Sequence, residues 1–264
     1  MITGAGSGIG LELALSCARR GARLALCDIN DAAVTAAAEA ARTIGAEVLA
    51  SPVDVSDADA MTHFAEATFT RFGRVDLLVN NAGVALVGGF LDTSRKDWEW
   101  LIGINLMGVV NGCDAFLPTM VESGGGGHVV NLSSGAGVLA SPQFSAYSTT
   151  KFAVFGLSEA LRMELSPHGI GVTAVCPGVV NTAITKNSPI RGSSDVTGRR
   201  ERLASTYSKR SYTAERAAHN ILRAVDRNRA VAPIAAEAHF MYWLSRGTPA
   251  LARWLAPRLA ELTK

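Results

Sequence analysis

TGAGSGIG (Thr3 to Gly10), followed by a helix-forming run and then by RLALCD (Arg23 to Asp28), decides the reading of this chain. Glycines at 4, 8 and 10 let the backbone turn tightly and approach a phosphate, while the helix that follows presents its N-terminal N–H groups to the charge. Ile9, Leu13 and Cys17 then share the inner face of that helix. Asp28 lies eighteen residues beyond Gly10, at the end of the second apolar run. A dinucleotide-binding turn places there the acid that hydrogen-bonds the adenosine ribose. Any tight strand-to-helix turn is glycine-rich, and a strand-end aspartate is often only solvated; the order of turn, helix, strand and acid is what points to a dinucleotide. Asp28 also bears on which one. Its carboxylate repels a 2′-phosphate, and no arginine or lysine lies within the turn or directly after Asp28 to offset it. Two unit charges about 4 Å apart interact by several kcal/mol near a protein surface, so NAD is expected over NADP.

Outward from this unit the same rhythm repeats. An alanine-rich helix spans Asp31 to Ile44, a strand Glu47 to Val53, and a helix Asp57 to Phe72. In that helix Met61, Phe64, Ala65, Thr68, Phe69 and Phe72 recur at the spacing of one buried face, and Asp57 is placed to cap it. Next come a strand Asp76 to Asn80, one long helix from about Ser94 to Phe116, and a strand His128 to Leu132. A helix Ala146 to Leu165, a strand Val172 to Cys176, a helix Ala214 to Arg227 and a strand near Ala230 to Ala235 complete the series. The strands are continuous apolar runs, as expected when helices cover both faces. The fold class is therefore α/β, a Rossmann-like doubly wound parallel sheet in a single domain over residues 1–264. Two regions break the rhythm. Thr185 to Tyr212 is rich in Ser, Gly and Arg and reads as a long loop or lid, and Ala238 to Lys264 is an aromatic, basic extension.

Composition narrows the function classes. Hydrophobic residues make up 48% and charged residues 18%, with a net charge of +2 that gives no reason to expect a nucleic-acid partner. Arg199, Arg200, Arg202, Lys209 and Arg210 cluster, and read as a solvated loop face. Cys17, Cys27, Cys113 and Cys176 stand singly in apolar stretches without metal-ligand spacing, so no metal site is expected and a reducing, cytoplasmic compartment fits best. The glycine turn begins at Gly4, so no signal peptide is expected, and no run approaches the roughly 20 apolar residues of a membrane span.

Tyr147 and Lys151 lie four apart at the start of a helix, which puts both side chains on one face. A free tyrosine, with a pKa near ~10, is a poor acid–base group at neutral pH; an adjacent ammonium favours the phenolate and brings it toward the working range. Alone, the pair is equally a surface tyrosine beside a solvated lysine. Ser133 and Ser134 follow an apolar strand, at the end where ligands collect in such sheets. A hydroxyl there either hydrogen-bonds a substrate oxygen or caps the next turn. Asn105, inside the long helix, either holds a water in a proton path or is a satisfied buried amide.

With these residues in place, the chain resembles the short-chain dehydrogenase/reductase family over nearly its whole length. The resemblance rests on TGAGSGIG, DV (Asp54, Val55), NNAG (Asn80 to Gly83), N-x-x-G (Asn105 to Gly108), the SS pair with Y-S-T-T-K (Tyr147 to Lys151), and PGVVNT (Pro177 to Thr182), in that order. It implies proton transfer by Tyr147, with Lys151 favouring the phenolate and binding the nicotinamide ribose. It implies Ser134, thirteen residues before the tyrosine, as the substrate-orienting serine, and Asn105 as the end of a proton relay. Gly4, Ser7, Gly8, Ile9 and Gly10 would contact the cofactor, Asp54 and Val55 the adenine, Asn81, Ala82 and Gly83 its flank, and Val180 and Thr182 the carboxamide. A homodimer or homotetramer built on the long helices is also implied. One departure is clear: only Met1 and Ile2 precede the turn where relatives carry several apolar residues, which is expected to cost burial and ladder hydrogen bonds at the sheet centre.

The expected activity is hydride transfer between NAD and a secondary alcohol or its ketone. The alternatives are an NADP-dependent 3-oxoacyl-type ketoreductase, which Asp28 opposes, and a catalytically idle nucleotide-binding regulator, which the joint presence of Asn105, Ser134, Tyr147 and Lys151 opposes. The long 185–212 segment and the apolar residues of the tail (Phe240, Met241, Tyr242, Trp243, Leu244, then Leu251, Trp254, Leu255 and Leu259, broken by Pro257) point to a bulky, apolar substrate. Arg246, Arg253 and Arg258 beside them give a composition also met in helices on membrane surfaces; the alternative is a tail packed on the body or on a second subunit.

Overall fold

Seven apolar runs pair in parallel in the order β3-β2-β1-β4-β5-β6-β7 in a computed structural model that describes residues 1–182, 184, 188–192, 196–198 and 212–261. The strands are β1 (Ile2–Thr3), β2 (Leu24–Asp28), β3 (Val48–Pro52), β4 (Leu77–Asn80), β5 (Gly127–Leu132), β6 (Ile170–Pro177) and β7 (Val231–Ile234). The helices between them are α1 (Gly8–Arg19), α2 (Asp31–Thr43), α3 (Ala58–Phe72), α4 (Arg95–Ile102), α5 (Gly108–Glu122), α6 (Ser145–Leu165) and α7 (Ala214–Asp226), with α8 (Ala236–Gly247) and α9 (Pro249–Glu261) after β7.

The sheet is buried on both faces because alternate strand residues feed two separate cores. Leu26, Val130 and Val175 pack with Leu13 and Ala14 of α1, Val34 of α2 and Ile221 of α7 on one side. Cys27, Val129 and Val172 pack with Met61 and Phe64 of α3, Phe116 and Met120 of α5 and Val154 of α6 on the other. β1 pairs with both β2 and β4, and Ile2 is 2% exposed. The sheet centre is thus filled, but by a strand of two residues where its partners have five and four.

Asp57 caps α3 as expected, its side chain accepting from the Ala60 N–H at 3.0 Å. The stretch read as one helix from Ser94 to Phe116 differs in two ways. It is interrupted by a π-helical turn at Gly103–Met107, and it runs on to Glu122 because Leu117 and Met120 continue the buried face. Taken as a whole, Arg95–Glu122 is long and apolar enough by composition to cross a membrane, which the sequence reading did not anticipate; 44% of its apolar window is buried inside the fold, where it covers the sheet.

The tail also differs from the reading. Its apolar residues lie on two successive helices, and α9 continues through Pro257. Met241 and Tyr242 of α8 pack against Val138, Phe155 and Cys176, and Arg246 reaches Glu159 at 3.1 Å, so this part of the tail is built onto the body. Phe240 and Trp243 face solvent. Of the proposed lid, residues 185–187, 193–195 and 199–211 lie outside the described residues.

Candidate active site

The glycine turn is locked from below. Thr3 Oγ1 accepts from the backbone N–H groups of Asn81 (3.0 Å) and Ala82 (2.9 Å), and Asn81 Nδ2 donates to the carbonyls of Thr3 (2.9 Å) and Gly4 (3.0 Å). Gly4 has φ +61°, and a Cβ there would sit 2.8 Å from the Ala82 Cα; at Gly10 it would run into the Gly4 carbonyl. These two positions tolerate only glycine. The turn feeds α1, whose N-cap Ser7 makes no side-chain cap and whose first turn holds no acidic residue. The N–H groups of that turn therefore retain their positive end for an anion.

Asp28 closes the other side. Its Oδ2 accepts from the Gly6 N–H at 2.9 Å and its Oδ1 from the Asn30 N–H at 3.0 Å. Gly6, which no spacing in the sequence marks, ties the turn to the acid through its amide. Beside Asp28, the chain leaves β3 at Asp54, whose Oδ1 takes the N–H and hydroxyl of Ser56 (2.9 and 2.7 Å). Val55 is buried against Gly108 of α5, and its carbonyl accepts from Asn111 Nδ2 at 2.9 Å. A nucleotide-shaped cradle, closed to side chains at Gly4 and Gly10 and flanked by Asp28, fits a dinucleotide.

The second half of the site sits where β5 ends. Lys151 is buried, its Nζ donates to the Leu132 carbonyl at 2.8 Å, and it lies 5.8 Å from the centre of the Tyr147 ring. Burial lowers its pKa to about 8, which leaves the ammonium protonated at neutral pH beside the phenol. The two serines divide. Ser133 is buried and donates to the Lys151 carbonyl at 2.8 Å, whereas Ser134 is half-buried at the strand end and its Oγ accepts from the Ala136 N–H at 3.1 Å. Ser134 therefore does cap the next turn, and it is the less buried of the two serines.

Asn105 lies in the π turn, fully buried. Its Oδ1 accepts from the Val84 N–H (2.8 Å), and its Nδ2 donates to the Val84 carbonyl (2.9 Å) and to Thr150 Oγ1 (3.2 Å). Thr150 in turn donates to the Tyr147 carbonyl at 2.8 Å. The Asn105 side chain is thus a satisfied amide that binds the loop after β4 to the helix carrying Tyr147.

A family profile described as short chain dehydrogenase matches residues 1–191. The chain belongs to the short-chain dehydrogenase/reductase family. Among solved structures, a short-chain dehydrogenase/reductase from Burkholderia phymatum in complex with NAD superposes with a TM-score of 0.87, at 31% identity, covering 95% of this chain and 93% of that one. Two relatives from Mycobacterium tuberculosis named as oxidoreductases are EphD, 42% identical over 94% of this chain, and SadH, 38% identical over 93%. The chain spans 89% of SadH but only 43% of EphD, less than half the length of that relative.

In this dehydrogenase/reductase the sequence-named residues converge along the carboxyl ends of β1, β2, β4 and β5. Gly83 shows how closely: a Cβ there would lie 3.1 Å from Asn105 Oδ1 and 3.3 Å from Lys151 Nζ. The PGVVNT loop joins them, with Thr182 near Gly8 (3.2 Å from a Cβ built on it) and Val180 buried. One contributor was not visible in sequence. Glu237 of α8 accepts from the Val179 N–H at 2.8 Å, and a Cβ at Gly178 would meet its carboxylate at 2.7 Å. It lies 58 positions from Val179, and nothing in its local sequence marks it. Cys27, Cys113 and Cys176 stay inert, their thiols pushed up to about 12 by burial.

Proposed function

We propose that this chain interconverts a secondary alcohol and its ketone with NAD, using Tyr147 as general acid and base. The observation that carries the reading is the Tyr147–Lys151 pair, with Lys151 bonded at the end of β5 two residues before Ser134, at the same carboxyl ends of the strands as the glycine turn and Asp28. Gly4, Ser7, Gly8, Ile9 and Gly10 would hold the pyrophosphate at the start of α1. Asp28 would take the ribose hydroxyls, and Asp54 with Val55 the adenine. Asn81, Ala82 and Gly83 would flank the cofactor, Val180 and Thr182 would meet the carboxamide, and Lys151 would reach the nicotinamide ribose. When bound, the nicotinamide supplies the hydride acceptor for oxidation and the hydride donor for reduction.

The chain's own residues handle the proton. In the oxidative direction Tyr147 Oη takes the proton of the substrate hydroxyl as the C–H bond gives up its hydride; in reduction the same oxygen returns a proton to the carbonyl oxygen. The Lys151 ammonium stabilises the phenolate between those states, and its own bond to the Leu132 carbonyl holds it in place. Ser134 Oγ orients the substrate oxygen. Because the Asn105 amide is committed to Val84 and Thr150, any relay through that residue would run from its main chain in the π turn.

Asp28, already tied to the glycine turn, favours NAD over NADP. The walls beside Tyr147 support an apolar substrate: Val84, Leu86 and Trp98 cluster with the tyrosine, and Met241 lies against Gly135. A cytoplasmic homo-oligomer completes the reading, its interface on the groove between α5 and α6 lined by Val110, Leu117, Val121, Leu157 and Leu161. A panel of alcohols and ketones, followed by NADH absorbance with both cofactors, tests the reading. Tyr147→Phe is expected to abolish turnover with NADH binding nearly intact. Retention of most activity in that variant would sink the mechanism.

A further inference from the structure

The wall beside Tyr147 is made of three backbone segments bonded in series. Gly88 N–H donates to the Gln143 carbonyl (2.8 Å), Val87 N–H to the Pro189 carbonyl (2.9 Å), and Arg191 N–H to the Val87 carbonyl (2.8 Å). Residues 143–144, 86–88 and 189–191 thus lie side by side, with Phe144 edge-on to the Tyr147 ring at 6.4 Å. Leu86 packs with Tyr147 from the middle segment. Along the chain, Asn81 and Ala82 bond to Thr3 beside the glycine turn, and Val84 to Gly88 follow them, with Leu86 and Phe144 packed against the tyrosine.

A charged pair fastens the third segment of the wall, residues 189–191. Arg191 sets a two-pronged guanidinium on Asp97, Nη2 to Oδ1 at 2.7 Å and Nε to Oδ2 at 3.1 Å. Asp97 is buried in the first turn of α4, where its Oδ2 also takes the N–H (3.1 Å) and hydroxyl (2.7 Å) of Ser94 in a capping box. The carboxylate therefore sits on a rigid helix end before Arg191 arrives. The next residue, Gly192, has φ +68° and abuts the Asp92 carboxylate, where any side chain would collide. Arg191 is thus held at its backbone, at its fork and by the turn that follows it.

We infer that the Asp97–Arg191 pair is a positioning clamp that holds the substrate-side wall of the pocket and so sets substrate affinity, without contacting the cofactor cradle or the proton-transferring pair. The inference rests on the proposed function for its kinetic half. A paired fork on a preformed carboxylate is directional, so a lysine in its place restores charge but not geometry. Lys151 is held by the Leu132 carbonyl and Tyr147 is carried on α6, so the wall touches the tyrosine through side chains while the backbone that presents it belongs to the helix. Loosening the wall should consequently move KM more than kcat.

The test compares wild type with Arg191→Met, Arg191→Lys and Asp97→Asn, each checked for folding by its Tm. KM and kcat are measured on the best ketone of the panel, NADH dissociation by fluorescence, and exchange of the residue 87 and residue 191 amide protons by NMR or mass spectrometry. Arg191→Met and Asp97→Asn are expected to raise KM about ten-fold and change kcat less than about three-fold. They should leave NADH binding within about two-fold and speed exchange at both amides, with Arg191→Lys intermediate. Unchanged exchange, faster exchange with unchanged KM, or a loss of NADH affinity parallel to the rise in KM would each overturn the clamp. If wild type turns over nothing in the panel, the proposed chemistry fails, and the exchange rates still decide whether the pair holds the wall.

Discussion

Replacing Asp28 with serine perturbs cofactor choice and stability through the same two oxygens. The carboxylate accepts the Gly6 N–H at 2.9 Å and the Asn30 N–H at 3.0 Å. A serine hydroxyl cannot span both, so at least one amide at the tip of the glycine turn loses its partner. Hydrogen bonds to a charged acceptor contribute about 1.5–3 kcal/mol when sheltered; with the carboxylate partly open to solvent, a loss of about 2 kcal/mol in folding stability is expected. The effect on NADP runs the other way. A 2′-phosphate carries about −1.5 to −2 charges, and each would meet Asp28 at an energy of a few kcal/mol at an effective dielectric near 20. Screening in a half-exposed site reduces this to about 2 kcal/mol, roughly a 30-fold preference for NAD.

Asp28→Ser should therefore narrow the ratio of kcat/KM for NAD over NADP by roughly 30-fold while lowering Tm. Asp28→Asn separates the two effects: its amide oxygen still accepts from Gly6 or Asn30, so more stability is kept while the charge is gone. The assay is initial-rate NADH and NADPH absorbance on one alcohol, with thermal denaturation in parallel. A wild type that favours NADP, or a ratio unmoved in both variants, would refute the electrostatic argument.

Other perturbations reach parts of the molecule that the cofactor does not touch. Glu237→Gln keeps an acceptor for the Val179 N–H, whereas Glu237→Ala removes it; the alanine variant should weaken NADH binding several-fold by fluorescence titration, and the glutamine variant should not. His128 is buried against Gly171, and its Nε2 donates to Thr173 Oγ1 (2.7 Å), since that hydroxyl is spent on the Arg229 carbonyl. Burial first, and Arg162 second, lower its pKa from 6.5 to about 4, so the folded chain holds it neutral while the unfolded chain protonates it; stability is full above pH 6.5 and falls by about 3 kcal/mol as pH drops to about 4. Denaturant titrations across that window should show the slope in wild type and a flatter one in His128→Gln. Asp97, held down to about 2 by the Arg191 guanidinium, releases its contribution only below its ordinary 3.8 and leaves the His128 window clear.

Much of this arrangement was legible in the sequence because it is local. Strand after strand is a continuous apolar run, and a run buried on both faces needs helices above and below it. Tyr147 and Lys151 share a face by helical spacing alone, and Gly4, Gly8 and Gly10 announce a turn that side chains would block. What escaped depends on partners far along the chain. The π turn at Gly103–Met107 answers to Val84 and Thr150, which claim the Asn105 amide from other elements. Glu237 matters only because β7 ends beside β6 and delivers α8 to the Pro177–Thr182 loop. At Pro257 a proline in the sequence signals a break, yet α9 runs through it.

The placement of the site follows from the strand order itself. From β1 the chain winds outward to β2 and β3, then returns to lay β4 on the opposite side of β1 before winding outward again to β7. The connections leaving β1 and β4 therefore diverge over opposite faces, and a crevice opens between them at the carboxyl ends. Between β1 and β4 the ladder carries the register pair Ile2 and Val79 and the Val79 N–H bond to the Met1 carbonyl. Beyond that ladder, the Thr3 hydroxyl gathers the Asn81 and Ala82 amides while Asn81 reaches back to the Thr3 and Gly4 carbonyls. Those four bonds fall at the mouth of the crevice, where the glycine turn meets the loop that runs on to the substrate wall. The dinucleotide cradle and the residues beside Tyr147 are in this way carried on one stitched edge.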